Sequence, residues 1–279
     1  MKRRSGSLVK DVFLFYLPLL LMLLVLIFPF YWTIVTSLKP QEELYGAVAS
    51  YWPRHPTLDS YRNLFTQIDF LKPMKNSLIV AVSTVVLSLS VSMLASYAFS
   101  RFRFRGRKTL MMLFLTNNMF PTVLLLIPLY AIMRKIGLLF TPGALVLAYT
   151  TLTIPFCVWL LNGYFRDIPM ALEEAALVDG CNRRQAFFKI LLPVFAPCLI
   201  ATGVYIFMTA WNEYTFAVLF TNENSRTISV SLKNLVSELG VQWDLLTAGG
   251  VITIFPICVM FFFAQKRLVE GLTAGAVKG

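Results

Sequence analysis

The chain has 279 residues, of which 57% are apolar and only 14% are charged, with a formal net charge of +11. Soluble domains carry about 45–50% apolar and about 25% charged residues, so this composition argues against an ordinary soluble enzyme and excludes a disordered chain, which needs low hydrophobicity and high charge. The positive charge is a poor match to nucleic-acid binding, because no basic stripe carries interleaved aromatics; the nearest approach, residues 101–108 (RFRFRGRK), reads as a short hairpin anchored by phenylalanines.

Six long stretches contain no Asp, Glu, Lys or Arg: 12–38, 76–100, 109–133, 136–165, 190–212 and 245–265. A helix crossing a hydrocarbon core of about 30 Å needs about 20 apolar residues, and every stretch is long enough. The expected fold is therefore an all-α integral membrane protein with six transmembrane helices, residues 1–279 forming a single transmembrane domain. The first stretch follows Lys2, Arg3, Arg4 and Lys10, as in a signal peptide, but its apolar run is too long and no small-residue cleavage site follows. It reads as a retained helix. With both termini on the cytoplasmic side, the inner segments hold 16 of the 25 Lys and Arg residues and a net charge of +10, against +1 outside. That asymmetry obeys the positive-inside rule.

Helix one is expected at about 13–37, followed by an external loop at 38–75 rich in Pro and Tyr. Helix two, about 76–99, carries Thr84, Ser88, Ser92 and Ser96 on one stripe. Small residues at that spacing let helices approach closely in lipid, and packing inside a bundle is the favoured reading over a polar pathway wall. Helix three, about 109–133, holds Asn117 and Asn118 in mid-span, then Pro121 and Pro128. An amide in hydrocarbon needs a partner and a proline frees a carbonyl, so these residues either line a water-filled cavity or bond the bundle together. Helix four, about 143–164, places Tyr149, Thr150, Thr151 and Thr153 in its outer half. Helix five, about 195–220, contains Trp211, Asn212 and Glu213. Glu213 is the one carboxylate within a plausible span, and such residues are candidates for a pathway; the alternative is that it reaches water at the outer interface. Helix six is expected at about 246–265.

The segment 165–194 is too long for a simple helix connection. Pro169 suits a first helical turn, and residues 170–178 (MALEEAALV) are nearly all helix formers. Gly180 suits a left-handed stop. Asn182 and Gln185 have the spacing of a capping box, and Pro193 re-aims the second helix where it joins helix five. The expected shape is helix, sharp turn, helix on the cytoplasmic face. Its alanines and acids are wrong for a membrane-surface helix, which wants large apolar residues and a basic face; a protein-docking element fits better.

Catalytic and metal signals are missing. The four cysteines form no C-x-x-C pair, the single histidine, His55, sits beside prolines, and neither a metal motif nor a nucleophile elbow is present. There is no phosphate-binding G-x-x-x-x-G-K-[ST] loop, so the chain is not expected to hydrolyse ATP itself.

Glu174-Ala175-Ala176, then Gly180, then residues 190–193 (ILLP) resemble the EAA signature of the permeases of bacterial ATP-binding-cassette (ABC) importers. The segment ending in residues 36–40 (TSLKP), the Trp-Asn-Glu of helix five and the tail 270–279 (EGLTAGAVKG) are similar to the carbohydrate-uptake branch, in particular to the shorter, six-helix permease of the maltose-transporter type. The likeness covers the whole chain; Cys181, where alanine is common, differs slightly. The resemblance implies a permease subunit of a sugar or oligosaccharide importer in a bacterial or archaeal cytoplasmic membrane. It implies a second homologous permease, two ATPase subunits that bind ATP and Mg, an extracytoplasmic sugar-binding protein, and no cofactor on this chain. Glu174, Ala175, Ala176, Asp179 and Gly180 become the ATPase-coupling residues. Asn117, Asn118, Tyr149, Thr150, Thr153, Trp211, Asn212 and Glu213 become candidates for lining the pathway, and Gln242, Trp243 and Asp244 for touching the binding protein. The main alternative is a proton-coupled secondary transporter acting alone, which usually shows several mid-membrane ionisable residues and internal repeats.

Overall fold

The computed structural model describes residues 12–46, 48–237 and 240–276, with side chains described up to Gln265. The basic residues Lys2, Arg3, Arg4 and Lys10 and the end of the tail motif lie outside the described residues. A π-helical turn, Val12–Tyr16, leads into α1 (Leu17–Ser37). Short helices α2 (Gln41–Leu44) and α3 (Asp59–Gln67) follow, then α4 (Leu71–Arg101) and α5 (Arg107–Met119). Next come α6 (Leu126–Lys135), α7 (Pro142–Asp167), α8 (Met170–Val178) and α9 (Arg183–Gln185). A π-helical stretch, Ala186–Leu191, joins α9 to α10 (Leu192–Asn212). The chain continues through α11 (Thr215–Phe220), α12 (Ile228–Lys233), a hairpin of β1 (Val236–Ser237) and β2 (Gly240–Val241), and α13 (Trp243–Ala276). Among the described residues, five helical segments are long and apolar enough to cross a membrane, and a bent pair makes up to six.

The bent pair corrects the expectation of one helix over about 109–133. Helix α5 stops at Met119 because Phe120, the residue before Pro121, is forced into an extended conformation (φ −78°, ψ 131°). A 3-10 turn, Thr122–Leu125, then starts α6 at 102° to α5. Pro128 falls in the first turn of α6, where its missing N–H costs nothing. The expected helix over 195–220 is likewise divided. It ends at Asn212, Glu213 is extended (φ −68°, ψ 130°), and α11 starts afresh.

The chain forms two compact units, residues 1–70 with 232–254, and residues 71–231 with 255–279. In the first unit, residues 13–30 of the π-helical turn and α1 are exposed throughout. The segment after them explains the TSLKP run. Thr36, Ser37 and Lys39 are all buried. The Lys39 ammonium sits 4.7 Å from the centre of the Trp32 ring and donates to the Ser50 carbonyl at 2.5 Å. The Ser50 hydroxyl in turn donates to Glu43, which also accepts the Arg54 amide at 3.0 Å. The Ser50 hydrogen bond, with the Arg54 amide and the Lys39 charge, holds the Glu43 carboxyl below the usual carboxylate range.

In the second unit α4 packs along α7, and α10 packs against both. The small-residue stripe makes the first contact possible: Thr84, Ser88, Ser92 and Ser96 are each 0% exposed. Ser88 and Thr153 share a hydrogen bond of 2.8 Å, and Ser96 donates to the Val158 carbonyl at 3.0 Å. The Ser92 hydroxyl is buried without a partner. Ser92→Ala should therefore be neutral or stabilising, since it removes an unsatisfied group. Ser92→Leu should overpack the α4–α7 seam by about 1–3 kcal/mol. Apparent melting temperatures of the detergent-purified variants check both, with a fall expected only for leucine.

Candidate functional site: a short helix and its tie to the bundle

The local folding of 165–194 follows its residues. Helix α8 ends in a Schellman motif: Cys181 N donates to Ala176 O at 3.0 Å and Gly180 N to Leu177 O at 3.1 Å. Gly180 has φ +86°, and a Cβ there would meet nothing within 4 Å. The requirement for glycine is thus conformational, with left-handed backbone costing other residues about 1–2 kcal/mol. The next helix starts with the expected capping box, in which Asn182 Oδ1 accepts Gln185 N and Gln185 Oε1 accepts Asn182 N, both at 2.9 Å. Pro169 differs from expectation only by standing at the N-cap, one residue before the first turn.

The two faces of α8 divide the proposed coupling residues. Glu174, Ala175, Asp179 and Gly180 are exposed, whereas Ala176 is buried against its own chain. The exposed face also carries Met170, Leu172, Leu177 and Val178, the last 87% exposed. Sequence reasoning missed these four apolar residues, although an apolar side chain on a short exposed helix is itself a docking signal.

It also missed Glu173. The Arg101 Nε lies 3.1 Å from Glu173 Oε2, with the two side chains only 6% and 12% exposed. Tyr97 donates to Glu173 Oε1 at 2.5 Å, and Arg101 donates to the Ile168 carbonyl at 3.2 Å. Tyr97 stands edge-on to Phe102, Phe165 and Phe187. Phe165 stacks on Phe195 at 3.9 Å within a buried cluster that includes Leu161 and Leu191. Helix α8 is therefore tied to the last turn of α4 by a charge pair largely shielded from water, beside an aromatic cluster shared by α7, α10 and the π-helical stretch. The helical phase decides which of the paired glutamates does this: Glu173 faces inward and Glu174 outward.

The pathway candidates fall into two groups. Tyr149, Thr150, Thr153 and Trp211 are packed inside the chain, with Trp211 stacked on Phe207 at 5.4 Å. Glu213 acts as the cap of α11: its carboxylate accepts Phe216 N at 2.9 Å and Ala217 N at 3.1 Å, and Tyr149 OH at 2.7 Å. Ser229 donates to the Glu213 carbonyl at 2.7 Å. Asn117, Asn118 and Asn212, by contrast, are exposed. In the first unit, Gln242 and Trp243 are exposed, while Asp244 is 2% exposed and accepts Gln41 Nε2 at 2.7 Å. Among the described residues no cluster of His, Cys, Asp and Glu is arranged to hold a metal.

Long apolar helices with a short exposed helix held to them by a charge pair are the architecture of a membrane-spanning protein with a cytoplasmic or external docking element. Residues 88–273 match the family described as the binding-protein-dependent transport system inner membrane component, and the chain belongs to that family. It is the permease subunit of an ABC importer. It is 37% identical over 91% of its length to the sulfoquinovosyl glycerol transport system permease protein SmoH of Agrobacterium fabrum, covering 89% of that protein. It is 35% identical over 93% of its length to the trehalose/maltose transport system permease protein MalG of Thermococcus litoralis, covering 94% of it. In fold it matches a chain of a bacterial ABC transporter involved in the import of the acidic polysaccharide alginate. The TM-score is 0.82 at 23% identity, over 96% of this chain and 99% of the other.

Removing one member of a shielded charge pair leaves the other uncompensated, at a cost of up to about 3 kcal/mol. Glu173→Gln should lower the apparent melting temperature more than Tyr97→Phe does. The reversed pair Arg101→Glu with Glu173→Arg should recover more than half of the loss seen with Arg101→Glu alone. A thermal denaturation series on the purified chain tests this, and an additive double variant would remove the pair from the argument.

Proposed function

We propose that this chain imports a carbohydrate as one half of a heterodimeric pore, with a second homologous permease, two ATPase subunits and an extracytoplasmic sugar-binding protein. ATP and Mg belong to the ATPases, and this chain holds no cofactor. The carbohydrate assignment rests on relatives that transport sulfoquinovosyl glycerol, trehalose or maltose and, in Streptomyces coelicolor, diacetylchitobiose. The exposed length of α1 offers an apolar face for lipid and the second permease. The membrane is the cytoplasmic membrane of a bacterium or archaeon in this reading, and the distribution of Lys and Arg supports a cytoplasmic side for both termini and α8.

The observation that carries the coupling role is the exposed face of α8, tied by Glu173 to Arg101. Glu174, Ala175, Val178 and Asp179 would enter a cleft of one ATPase, with Gly180 turning the chain away from the contact. When ATP draws the ATPases together, α8 moves and pulls α4 through the ion pair. The pore alternates between inward-open and outward-open states because ATP and the loaded binding protein each favour one of them. Exposed Asn117, Asn118 and Asn212 are the amides we assign to the translocation wall. Tyr149, Thr150, Thr153, Trp211 and Glu213 support that wall from behind. Gln242 and Trp243 meet the binding protein, and Asp244 anchors them through Gln41. A proton-coupled mechanism lacks support, since the carboxylate of Glu213 is already engaged by two backbone amides and Tyr149.

The test is ATP hydrolysis by the complex that co-purifies with the tagged chain, with and without its binding protein and a panel of sugars. Stimulation by one sugar together with the binding protein supports the reading and names the substrate. Purification without an ATPase, combined with proton-driven uptake into vesicles, would refute it. In the same assay Gly180→Val should leave the chain in the membrane while cutting uptake per ATP at least tenfold. Gly180→Asn should lose far less, because asparagine tolerates the left-handed region. Equal uptake per ATP in wild type and Gly180→Val would sink the coupling role.

A further inference from the structure

A second site lies between the start of α5 and the end of α7. Arg107, Lys108, Met111, Met112, Leu115, Asn162 and Arg166 surround a cleft of about 370 Å³. Its chemistry is divided. Three cations stand at one end, and Met111, Met112 and Leu115 line the wall one turn and more further along α5. The two ion pairs found among the described residues, Arg101–Glu173 and Arg226–Glu223, use other cations. Asn162 is only 7% exposed, yet its Oδ1 is buried without a hydrogen-bond partner. A buried amide oxygen left unpaired costs free energy, and a small shift of the Asn162 side chain towards the cleft would bring it within reach of a donor there.

The level of the cleft follows from the sequence. The charge-free run 109–133 begins directly after Lys108, and the run 136–165 ends directly before Arg166. All three cations therefore sit where two spans leave the hydrocarbon, at headgroup depth, with the methionines and Leu115 on the hydrocarbon side. A soluble anion would use the cations and ignore the apolar wall. A partner helix would use the wall and leave three like charges facing it.

We propose that this cleft binds one anionic glycerophospholipid, its phosphate between Arg107, Lys108 and Arg166 and one acyl chain along Met111, Met112 and Leu115. A hydroxyl of a glycerol headgroup donates to Asn162 Oδ1. Basic pockets between membrane helices recognise anionic headgroups in this way, each interfacial cation contributing separately. A zwitterionic lipid brings its own cation and fits a cluster of three positive charges poorly.

The experiment is native mass spectrometry of the assembled transporter, delipidated and then titrated with phosphatidylglycerol, phosphatidylcholine or inorganic phosphate. Wild type should retain one phosphatidylglycerol per copy of this chain. Arg107→Gln with Arg166→Gln should bind it about thirty-fold more weakly, the effect of two interfacial cations. Arg103→Gln with Arg105→Gln removes the same charge from the neighbouring turn and should bind normally. Leu115→Trp, which fills the apolar wall with the charges intact, should also weaken binding. Equal losses from both arginine pairs would reduce the effect to general surface charge and overturn the site. Equal retention of phosphatidylcholine, or displacement of the lipid by phosphate at the lipid's own affinity, would overturn the lipid assignment. So would a cross-link from Lys108 to another subunit in place of bound lipid.

Discussion

The close approach of α4 and α7 is the constraint on which the second unit rests. In lipid, apolar side chains gain little by leaving one hydrocarbon surface for another, so helices associate by tight packing and by bonds between polar groups. The four buried small residues Thr84, Ser88, Ser92 and Ser96 supply the first, and the Ser88–Thr153 and Ser96–Val158 hydrogen bonds supply the second. The consequence is a well-supported rod. With 31 residues, α4 is about 46 Å long, and both of its ends are fastened. At one end Lys72 and Asn76 bond Asn224, Asn76 also bonds Arg226, and Ser77 accepts the Ile228 amide. At the other, Arg101 and Tyr97 hold Glu173. A displacement of α8 would thus act on a helix whose far end is bonded to the segment around 224–228.

Much of this was legible in the sequence, and the parts that were not share a cause. The charge-free runs marked the membrane helices, because the cost of a charge in hydrocarbon is steep. The small-residue stripe, the left-handed Gly180 and the Asn182 capping box were readable because each depends on neighbours a few residues away. The break at Pro121 was hidden by the same reasoning that found the spans: an uncharged run of 25 residues looks like one helix whatever its backbone does. Pro121 carried the signal, through its effect on Phe120. Glu173 was hidden because its partner is 72 positions away, and sequence spacing alone did not say which glutamate of the pair turned inward. Ala176 was read as partner-facing from its size, whereas its smallness serves a contact within the chain.

Glu213 shows how a functional-looking residue finds a structural occupation. A carboxylate at the end of a span is conspicuous, yet three donors converge on it, two of them backbone amides of a new helix. Backbone amides at a helix start need acceptors, and a helix that stops at Asn212 and restarts at Thr215 creates that need in the middle of an apolar stretch. The break therefore requires the carboxylate, and Tyr149 secures it from α7.

The same reasoning bears on the exposed amides. Asn117 and Asn118 stand just before the Pro121 break, and Asn212 is the last residue before the Glu213 break. Asn118 and Asn212 each donate to a carbonyl four residues back, Phe114 and Met208, at 3.1 and 2.9 Å. Both side chains are thus held on their own helices with their oxygens free to accept. Interrupted backbone within a membrane is tolerated where it is buried in protein or lines a water-filled cavity. At both breaks the adjoining amides are exposed, although at the second the chain itself satisfies the backbone through Glu213 and Ser229. Breaks flanked by exposed amides that present acceptors fit a wet passage for a polar solute, and this coincidence is the physical basis of the proposal that Asn117, Asn118 and Asn212 line its wall.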